Sequence, residues 1–206
     1  MTAQVPERII VDGRPRELFA DPLYRLRTHF RLDLRYPESW HTANYRGYIG
    51  TWEIRDGRLY LMCLCWDAWG LKGPAEVPIS AELRHRLLRA VSAADFPLHA
   101  HWYNGIARIA LGRRLVYSHQ GWSHWFERER VIRFRSGKVE RDREVDTRAI
   151  LERYLRRNPR AAARLDGSDT HPLGSLTWFD DNDDDDWAAD WWPPNFEASA
   201  NPASRP

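Results

Sequence analysis

Alternating apolar and polar positions, interrupted by turn-forming dipeptides, run through most of the chain before Asn158 and predict a series of β-hairpins. The clearest hairpin joins residues 47–54 and 58–66 across Asp56-Gly57, a dipeptide that tolerates the positive φ angles of a two-residue type I′ turn. Both alternations of its second strand are apolar, which indicates an interior strand covered on each face. The predicted register pairs Ile54 with Leu59, Trp52 with Leu61, Gly50 with Cys63 and Tyr48 with Cys65.

The two cysteines of the chain lie two residues apart on that second strand. Cys63 and Cys65 therefore leave the same face of the sheet, where consecutive thiols have poor geometry for a disulfide. We expect both to be small buried thiols packed beside Gly50, which leaves space in the predicted register. Two cysteines in 206 residues exclude a disulfide-built scaffold.

Two further dipeptides organise the rest of the predicted sheet. Asp12-Gly13 closes a first short strand, and Ser136-Gly137 joins two later ones. A two-residue turn at Ser136-Gly137 places an apolar pair and a charge pair on opposite faces of the sheet. These pairs are Phe134 with Val139 and Arg133 with Glu140, and the predicted strands cover residues 8–11, 98–111, 115–119, 125–134 and 139–145.

Apolar residues at helical spacing follow two capping residues, Ser80 and Asp146. The second of these helices is predicted over residues 147–157, whereas the pattern of residues 23–34 leaves helix and strand open. Together the elements indicate an α+β fold, a mainly antiparallel β-sheet built from consecutive hairpins with two to three helices packed on it. The apolar helix positions are Leu83, Leu87, Leu88 and Val91 in the first helix and Ile150, Tyr154 and Leu155 in the second.

Charge divides the chain into two parts that the formal net charge of +2 conceals. Residues 1–167 contain 30 basic and 20 acidic side chains, whereas residues 168–206 contain one basic and nine acidic side chains. Nearly all of the positive charge is arginine, because lysine occurs only at Lys72 and Lys138. We therefore expect a single arginine-rich α+β domain over residues 1–167 and an acidic tail over residues 168–206.

The tail combines charge with large aromatic residues. A linker rich in Gly, Ser, Thr and Pro leads to an acidic block, residues 180–186, with tryptophans on both sides. Segments of this composition are disordered when free and can become ordered when their rings and carboxylates find a partner. The partner can be a separate basic protein or the chain's own arginine-rich domain.

Apolar runs long enough to cross a membrane are missing from the sequence, and its amino end lacks the apolar core of a secretion signal. We therefore expect a cytoplasmic protein without a membrane partner.

A resemblance covers roughly Tyr45 to Glu129. The runs Tyr45–Ile54 and Asp56–Leu61 resemble a bacterial protein family of uncharacterised function with a Trp-Arg-Gly-Tyr-x-Gly-Thr-Trp-Glu-Ile signature followed by Asp-Gly-x-Leu-Tyr-Leu. The sequence departs from that pattern where Tyr45 replaces Trp, His101 replaces an acidic residue and His124 is added. The resemblance implies a bacterial origin and transfers no activity. Its later segments are Ala100–Gly105, His119–Ser123 and Phe126-Glu127.

Histidines two residues apart on a predicted strand are the main candidates for a metal site. His99 and His101 leave the same face of that strand, and His119 or His124 from the next hairpin is a candidate third ligand. Glu127 is a candidate carboxylate ligand or base. Because the recognised zinc motifs are missing from the sequence, we predict no cofactor and keep a divalent metal as the alternative.

Eleven Trp, eight Tyr and seven Phe residues are many for a chain of this length. Exposed rings beside arginine serve as anchors for a protein partner or as stacking platforms for bases. We therefore predict partner-binding residues in both parts of the chain. They are Trp102, Tyr103 and Trp122 in the domain and Trp178, Trp187, Trp191 and Trp192 in the tail.

Three functions follow from these features. The first is a non-enzymatic bacterial interaction protein that binds a protein partner through an aromatic surface and its acidic tail. The second is a metal-dependent hydrolase that uses the histidine cluster. The third is a nucleic-acid-binding domain whose affinity the acidic tail modulates, a function suggested by clustered arginines. These clusters are at residues 84–89, 113–114 and 153–164.

Overall fold

The structure, a computed structural model, describes residues 3–35, 41–67, 76–117, 121–122 and 124–157. The predicted tail, which includes its linker, lies outside these residues. The elements in chain order are β1 (Glu7–Val11), β2 (Arg14–Phe19), α1 (Tyr24–His29), β3 (Tyr48–Arg55), β4 (Arg58–Asp67), β5 (Glu76–Pro78), α2 (Ala81–Ala90), β6 (Leu98–His99), β7 (Gly105–Ala110), β8 (Arg114–Val116), β9 (Trp125–Phe126), β10 (Arg128–Arg135), β11 (Lys138–Asp146) and α3 (Thr147–Arg157).

Seven strands form a closed, mixed barrel, in the order β11-β10-β7-β2-β1-β3-β4. The barrel closes where β11 returns to β4, with Lys138 opposite Arg58. Neighbouring strands are antiparallel except for β1 and β3, which run parallel. The predicted antiparallel sheet of consecutive hairpins is therefore wrong, and the described residues form a mostly β fold with three short helices. The β1–β3 and β2–β7 pairings join distant segments, and turn chemistry does not report such pairings.

One large cluster of buried side chains joins the barrel strands to α1 and α2. Ile9, Trp52, Leu61 and Ile109 are fully buried in it. A smaller cluster contains Val116, Trp125, Val131 and Leu151, which brings α3 against the β9–β10 region. On α3 the predicted inward residues Ile150, Tyr154 and Leu155 are half-buried around Leu151, which the sequence pattern missed.

The β3–β4 hairpin confirms the predicted turn, because Asp56 and Gly57 both have positive φ angles, of 49° and 67°. The pairs Ile54–Leu59 and Trp52–Leu61 are also confirmed. Beyond them the register shifts at a bulge on β4, so that Gly50 lies opposite Leu64 and Tyr48 opposite Trp66. The predicted buried thiols are wrong, since Cys63 is exposed and Cys65 is half-buried. A bulge turns every later side chain to the other face of the strand.

The β10–β11 hairpin has the predicted turn at Ser136-Gly137 and the predicted Phe134–Val139 pair. A bulge then places Arg133 opposite Arg141 instead of Glu140. The predicted charge pair forms nevertheless, with Arg133 Nε 3.2 Å from Glu140 Oε2. The first strand and its tight turn at Asp12-Gly13 form as predicted, and the turn leads into β2, a strand that the sequence pattern did not predict.

Two predicted strands are each divided in the structure. Residues 98–111 form β6 and β7 with a turn between them, and residues 125–134 form β9 and β10. The strand predicted over residues 115–119 corresponds to β8 (Arg114–Val116).

Among the described residues, none of the helices is long and apolar enough to span a membrane.

Ser80 caps α2 as predicted, with its hydroxyl accepting a hydrogen bond from the backbone N–H of Leu83 at 3.2 Å. Ser80→Ala is expected to lower the free energy of unfolding by about 1 kcal/mol, because this N–H loses its acceptor. Urea unfolding measures the change. Ser80→Asp keeps an acceptor and is the control, so equal losses in the two variants would contradict the capping role.

Candidate anion-binding site

A cavity of about 320 Å³ opens beside the carboxyl end of α1. We call it the arginine cavity, because four arginines and one aspartate line its wall. Buried Leu32 and Leu34 form an apolar part of the wall, and the exposed ring of Tyr45 forms another part. Its charged residues are Arg27, Arg31, Arg35, Arg46 and Asp33.

The chain after α1 places three of these groups by alternation. Leu32 and Leu34 are buried, so Arg31, Asp33 and Arg35, which alternate with them, turn outwards. Asp33 holds Arg35 through two hydrogen bonds, Nε to Oδ1 at 2.9 Å and Nη2 to Oδ2 at 2.7 Å. Gly47 has a φ of +74°, and a methyl group on it would lie 2.6 Å from the Cα of Arg35. Close backbone approach therefore requires glycine at position 47.

Arg46 lines the cavity and is the most deeply buried of its arginines, with 6% of its side chain exposed. Its Nη2 donates to the carbonyl oxygen of Val5 at 2.8 Å. Its Nε lies 3.2 Å from Glu7 Oε1. The guanidinium also stacks over the Trp122 ring, 5.0 Å from the centroid, and over the Tyr48 ring at 5.5 Å. These contacts fix the group between the cavity and the interior of the protein.

Glu7 lies behind Arg46 and is completely buried. Its Oε2 accepts hydrogen bonds from the backbone N–H of Gly50 at 2.5 Å and from Trp52 Nε1 at 3.0 Å. Burial raises the pKa of Glu7 to about 7, because the attraction of Arg46 and these two hydrogen bonds only partly offset the loss of water. The negative charge of Asp21 contributes to this raised pKa.

Asp21 connects the buried pair to α1. It accepts a hydrogen bond from the Tyr48 hydroxyl at 2.6 Å, and its other carboxylate oxygen lies 3.4 Å from Arg27 Nη2. Burial, together with the charges of Asp21 and Glu7, raises the pKa of Tyr48 well above its usual value. Tyr48 therefore stays a hydroxyl donor at neutral pH.

Three buried polar atoms at this site have no hydrogen-bond partner in the part of the chain that the structure describes. They are Arg27 Nε, Arg46 Nε and Glu7 Oε1. Buried donors without an acceptor are costly, typically about 1–3 kcal/mol each and more for charged groups. An anion in the arginine cavity is the kind of group that accepts hydrogen bonds from two guanidinium groups at once.

A second buried ion pair stabilises the segment that carries Trp122. Arg108 on β7 binds Glu129 on β10 through two contacts of 2.6 Å. The same guanidinium donates to the carbonyl oxygens of Trp122 at 3.1 Å and His124 at 2.9 Å. Trp122 Nε1 in turn donates to Val5 at 3.3 Å. Trp122, a predicted partner anchor, is thus half-buried against Arg46.

The other predicted partner residues of the domain are also held inside it. Trp102 is half-buried and donates from Nε1 to the carbonyl oxygen of Pro22 at 2.9 Å. Tyr103 is half-buried, and its hydroxyl donates to Ile106 at 2.8 Å. Trp178, Trp187, Trp191 and Trp192 lie outside the described residues. The exposed large aromatic residues of the described chain are Tyr24, Phe30, Tyr45 and Tyr117.

Of the candidate metal ligands, two histidines lie close together and Glu127 lies far from them. His99 and His101 are close together, with ring centroids 6.2 Å apart, near the Ser136-Gly137 turn. Burial and the neighbouring cations Arg58 and Lys138 lower the pKa of His99. Glu127 lies just before the first residue of β10, whereas the Ser136-Gly137 turn follows the last. The eight residues of β10, roughly 25 Å of strand, therefore separate Glu127 from the histidines.

Glu127 has other partners. Its carboxylate binds Arg148 at 2.6 Å, and the backbone N–H of Arg113 and the charge of Arg148 lower its pKa. His119 lies outside the described residues. Within the described ranges, no group of three or more His, Cys, Asp or Glu side chains is placed to hold a metal ion.

Sequence reasoning missed the arginine cavity, although two signals for it exist. Glu7 alternates with Ile9 on β1 and therefore shares the buried face of that strand. In addition, Arg46, Gly50 and Trp52 lie in the run of residues on which the predicted resemblance rests, and all three contact Glu7. The resemblance itself stays a prediction. A comparison of the chain with protein-family models, curated proteins and solved structures finds no match.

Proposed function

We propose that this protein binds a small phosphate-bearing ligand in the arginine cavity. The observation that carries the proposal is that four arginines line one cavity. The buried Nε–H groups of two of them, Arg27 and Arg46, make no hydrogen bond in the described chain, although that of Arg46 lies 3.2 Å from Glu7 Oε1. The planar fork of arginine matches the oxygens of a phosphate group and keeps its charge at any physiological pH. The cavity therefore supplies both the charge and the donors that a phosphate requires.

The size and composition of the wall favour binding rather than catalysis. A volume of about 320 Å³ exceeds that of a single phosphate and lies at the lower end of small-molecule pockets. The lining residues are Arg, Leu, Thr, Tyr and Asp, and the one carboxylate, Asp33, is bound by Arg35. Glu7 is buried and reaches the cavity only through its contact with Arg46.

A protein partner is the second proposal. It is supported by the exposed rings of Tyr24, Phe30 and Tyr45, all on or near α1 beside the arginine cavity. Aromatic and arginine residues together are typical of binding hot spots. A partner with carboxylates would suit this surface, and the acidic residues 180–186 of the chain itself have that chemistry.

Removal of one cavity charge tests the leading proposal. Arg31 is exposed, lines the cavity and forms no ion pair with a described residue. Arg31→Gln is expected to weaken the binding of glycerol 3-phosphate or adenosine 5′-phosphate about tenfold, because a charge-assisted hydrogen bond is lost. Isothermal titration calorimetry on the full chain measures the dissociation constants.

Arg25→Gln is the matched control, because Arg25 is an exposed arginine of the adjacent helix α1 that does not line the cavity. It removes the same charge and should leave affinity within about twofold. Equal losses in the two variants would indicate nonspecific attraction to a basic surface. If neither phosphate ester binds the wild-type chain at millimolar concentration, the proposal is wrong.

A further inference from the structure

We infer that the arginine cavity binds a phosphate monoester together with one proton, and that Glu7 holds this proton. The inference rests on the proposed function and adds the regulation of the same site. Its structural basis is that one residue, Arg46, both lines the cavity and lies with its Nε 3.2 Å from the buried carboxylate. A ligand and an ionised Glu7 therefore compete for the same positive charge.

Glu7 has a vacant acceptor position at the side where it meets Arg46. Oε2 already accepts two hydrogen bonds, whereas Oε1 has no hydrogen-bond partner in the described chain. Oε1 and Arg46 Nε are 3.2 Å apart without the alignment of a hydrogen bond. Protonation of Oε1 therefore breaks no hydrogen bond of the carboxylate, while the two donors to Oε2 keep their acceptor.

The groups that face Glu7 determine the direction of the coupling. Arg46 is the cation that favours its ionised form, whereas Asp21 and burial favour the protonated form. A dianion in the cavity adds negative charge and draws Arg46 away from Glu7, which shifts the balance towards protonation. The charged neighbours of Glu7 are Arg46 before β3 and Asp21 after β2, with Arg27 on α1 acting through Asp21. Its polar neighbours are Tyr48, Gly50 and Trp52 on β3.

The coupling has a definite pH dependence. Burial raises the pKa of Glu7 to about 7 in the free protein, so the carboxyl group is mostly ionised at pH 8 and must take up a proton when the ligand binds. A phosphate monoester has its own second pKa of about 6 and is already a dianion at pH 8. Apparent affinity is therefore expected to fall by up to about tenfold per pH unit above pH 7.

Calorimetry on the wild-type full chain tests the inference without a variant. Titration of glycerol 3-phosphate or adenosine 5′-phosphate at pH 8 in Tris and in HEPES, which have different ionisation enthalpies, gives the number of protons taken up. We expect a value approaching one at pH 8. At pH 5.5, where Glu7 is already protonated, uptake by the protein should be near zero once the proton that the ligand releases on becoming a dianion is subtracted. Binding at pH 8 without proton uptake would overturn the inference and leave the proposed function intact.

Glu7→Gln identifies the group that takes up the proton. Its amide oxygen can still accept from Gly50 and Trp52, and the loss of charge leaves Arg46 to the ligand. We expect this variant to bind without proton uptake, about tenfold more tightly than wild type at pH 8. Glu53→Gln, which changes a partly exposed glutamate paired with Arg55, should retain the wild-type proton uptake. Proton uptake that persists in Glu7→Gln would assign the proton to another group, and the inference would fail.

Discussion

Arg46→Met is expected to lower the free energy of unfolding by about 3–5 kcal/mol at pH 9, because it leaves the completely buried carboxylate of Glu7 without its cation. The methionine side chain keeps much of the volume, so the loss reflects charge more than packing. The loss should shrink at pH 5.5. There Glu7 is protonated in the folded state of both proteins, and Arg46 has no buried negative charge to neutralise.

The direction follows from the raised pKa of Glu7. Burial places this pKa at about 7 in the folded protein, above the value of 4.5 that an unperturbed glutamate has. The folded state therefore binds the proton more tightly than the unfolded state, and stability falls as pH rises from about 4.5 to about 7. Removal of Arg46 raises the folded pKa further, so in Arg46→Met this decline continues above pH 7.

Urea unfolding of the full chain at pH 5.5 and pH 9 measures the effect. The double variant Glu7→Gln with Arg46→Met should recover most of the loss at pH 9, because no buried charge remains. Arg35→Met is the matched control, since Arg35 and its partner Asp33 are both exposed, and it should change stability by less than about 1 kcal/mol at either pH. A loss in Arg46→Met that is the same at both pH values would contradict the role of Glu7.

Local turn and cap chemistry carried most of what the sequence could predict about the fold. Asp56-Gly57 and Ser136-Gly137 have the positive φ angles that the residue types indicated, and Ser80 caps its helix. These features depend on residues a few positions apart. Closure of the barrel depends on pairings between distant segments, such as Arg8 with Thr51, and the periodicity of one strand does not specify its distant neighbour.

The bulges explain why residues next to a correct turn were placed wrongly. In the β3–β4 hairpin the register is as predicted up to Trp52 and shifts at the next residue. One extra residue on β4 turns Cys63 outwards, although the apolar pattern of that strand indicated burial. A strand that is apolar on both faces does not reveal which face a shift exposes.

Sequence reasoning found chemically active residue types but not the place where they converge. The histidines stood out because two of them share a strand face, whereas the arginines of the cavity are single residues in segments of unclear periodicity. Their importance depends on Glu7, which comes from a strand 39 positions before Arg46. Only the parallel pairing of β1 with β3 brings that carboxylate beside Gly50 and Trp52.

Gly50→Ala is expected to lower the free energy of unfolding by about 3 kcal/mol, at the upper end of the usual cost of overpacking a buried site. The added methyl group would overlap Glu7 Oε2 and lie 2.7 Å from Trp52 Nε1. Both neighbours are completely buried, so neither can move without breaking the hydrogen bonds to Oε2. The space that the sequence pattern assigned to thiols is occupied by a carboxylate.

A double-mutant cycle distinguishes this cause from a general intolerance of strand β3 to alanine. Glu7→Ala removes the overlapping carboxylate, so Gly50→Ala should cost at least about 1 kcal/mol less in that background than in wild type. Gly105→Ala is the control, because its methyl group would lie no closer than 3.2 Å to the Tyr103 side chain, and its cost should be the smaller one. Strictly additive losses at positions 7 and 50 would contradict this explanation. They would mean that the backbone of β3 requires glycine at position 50, independently of the buried carboxylate that Arg46 neutralises.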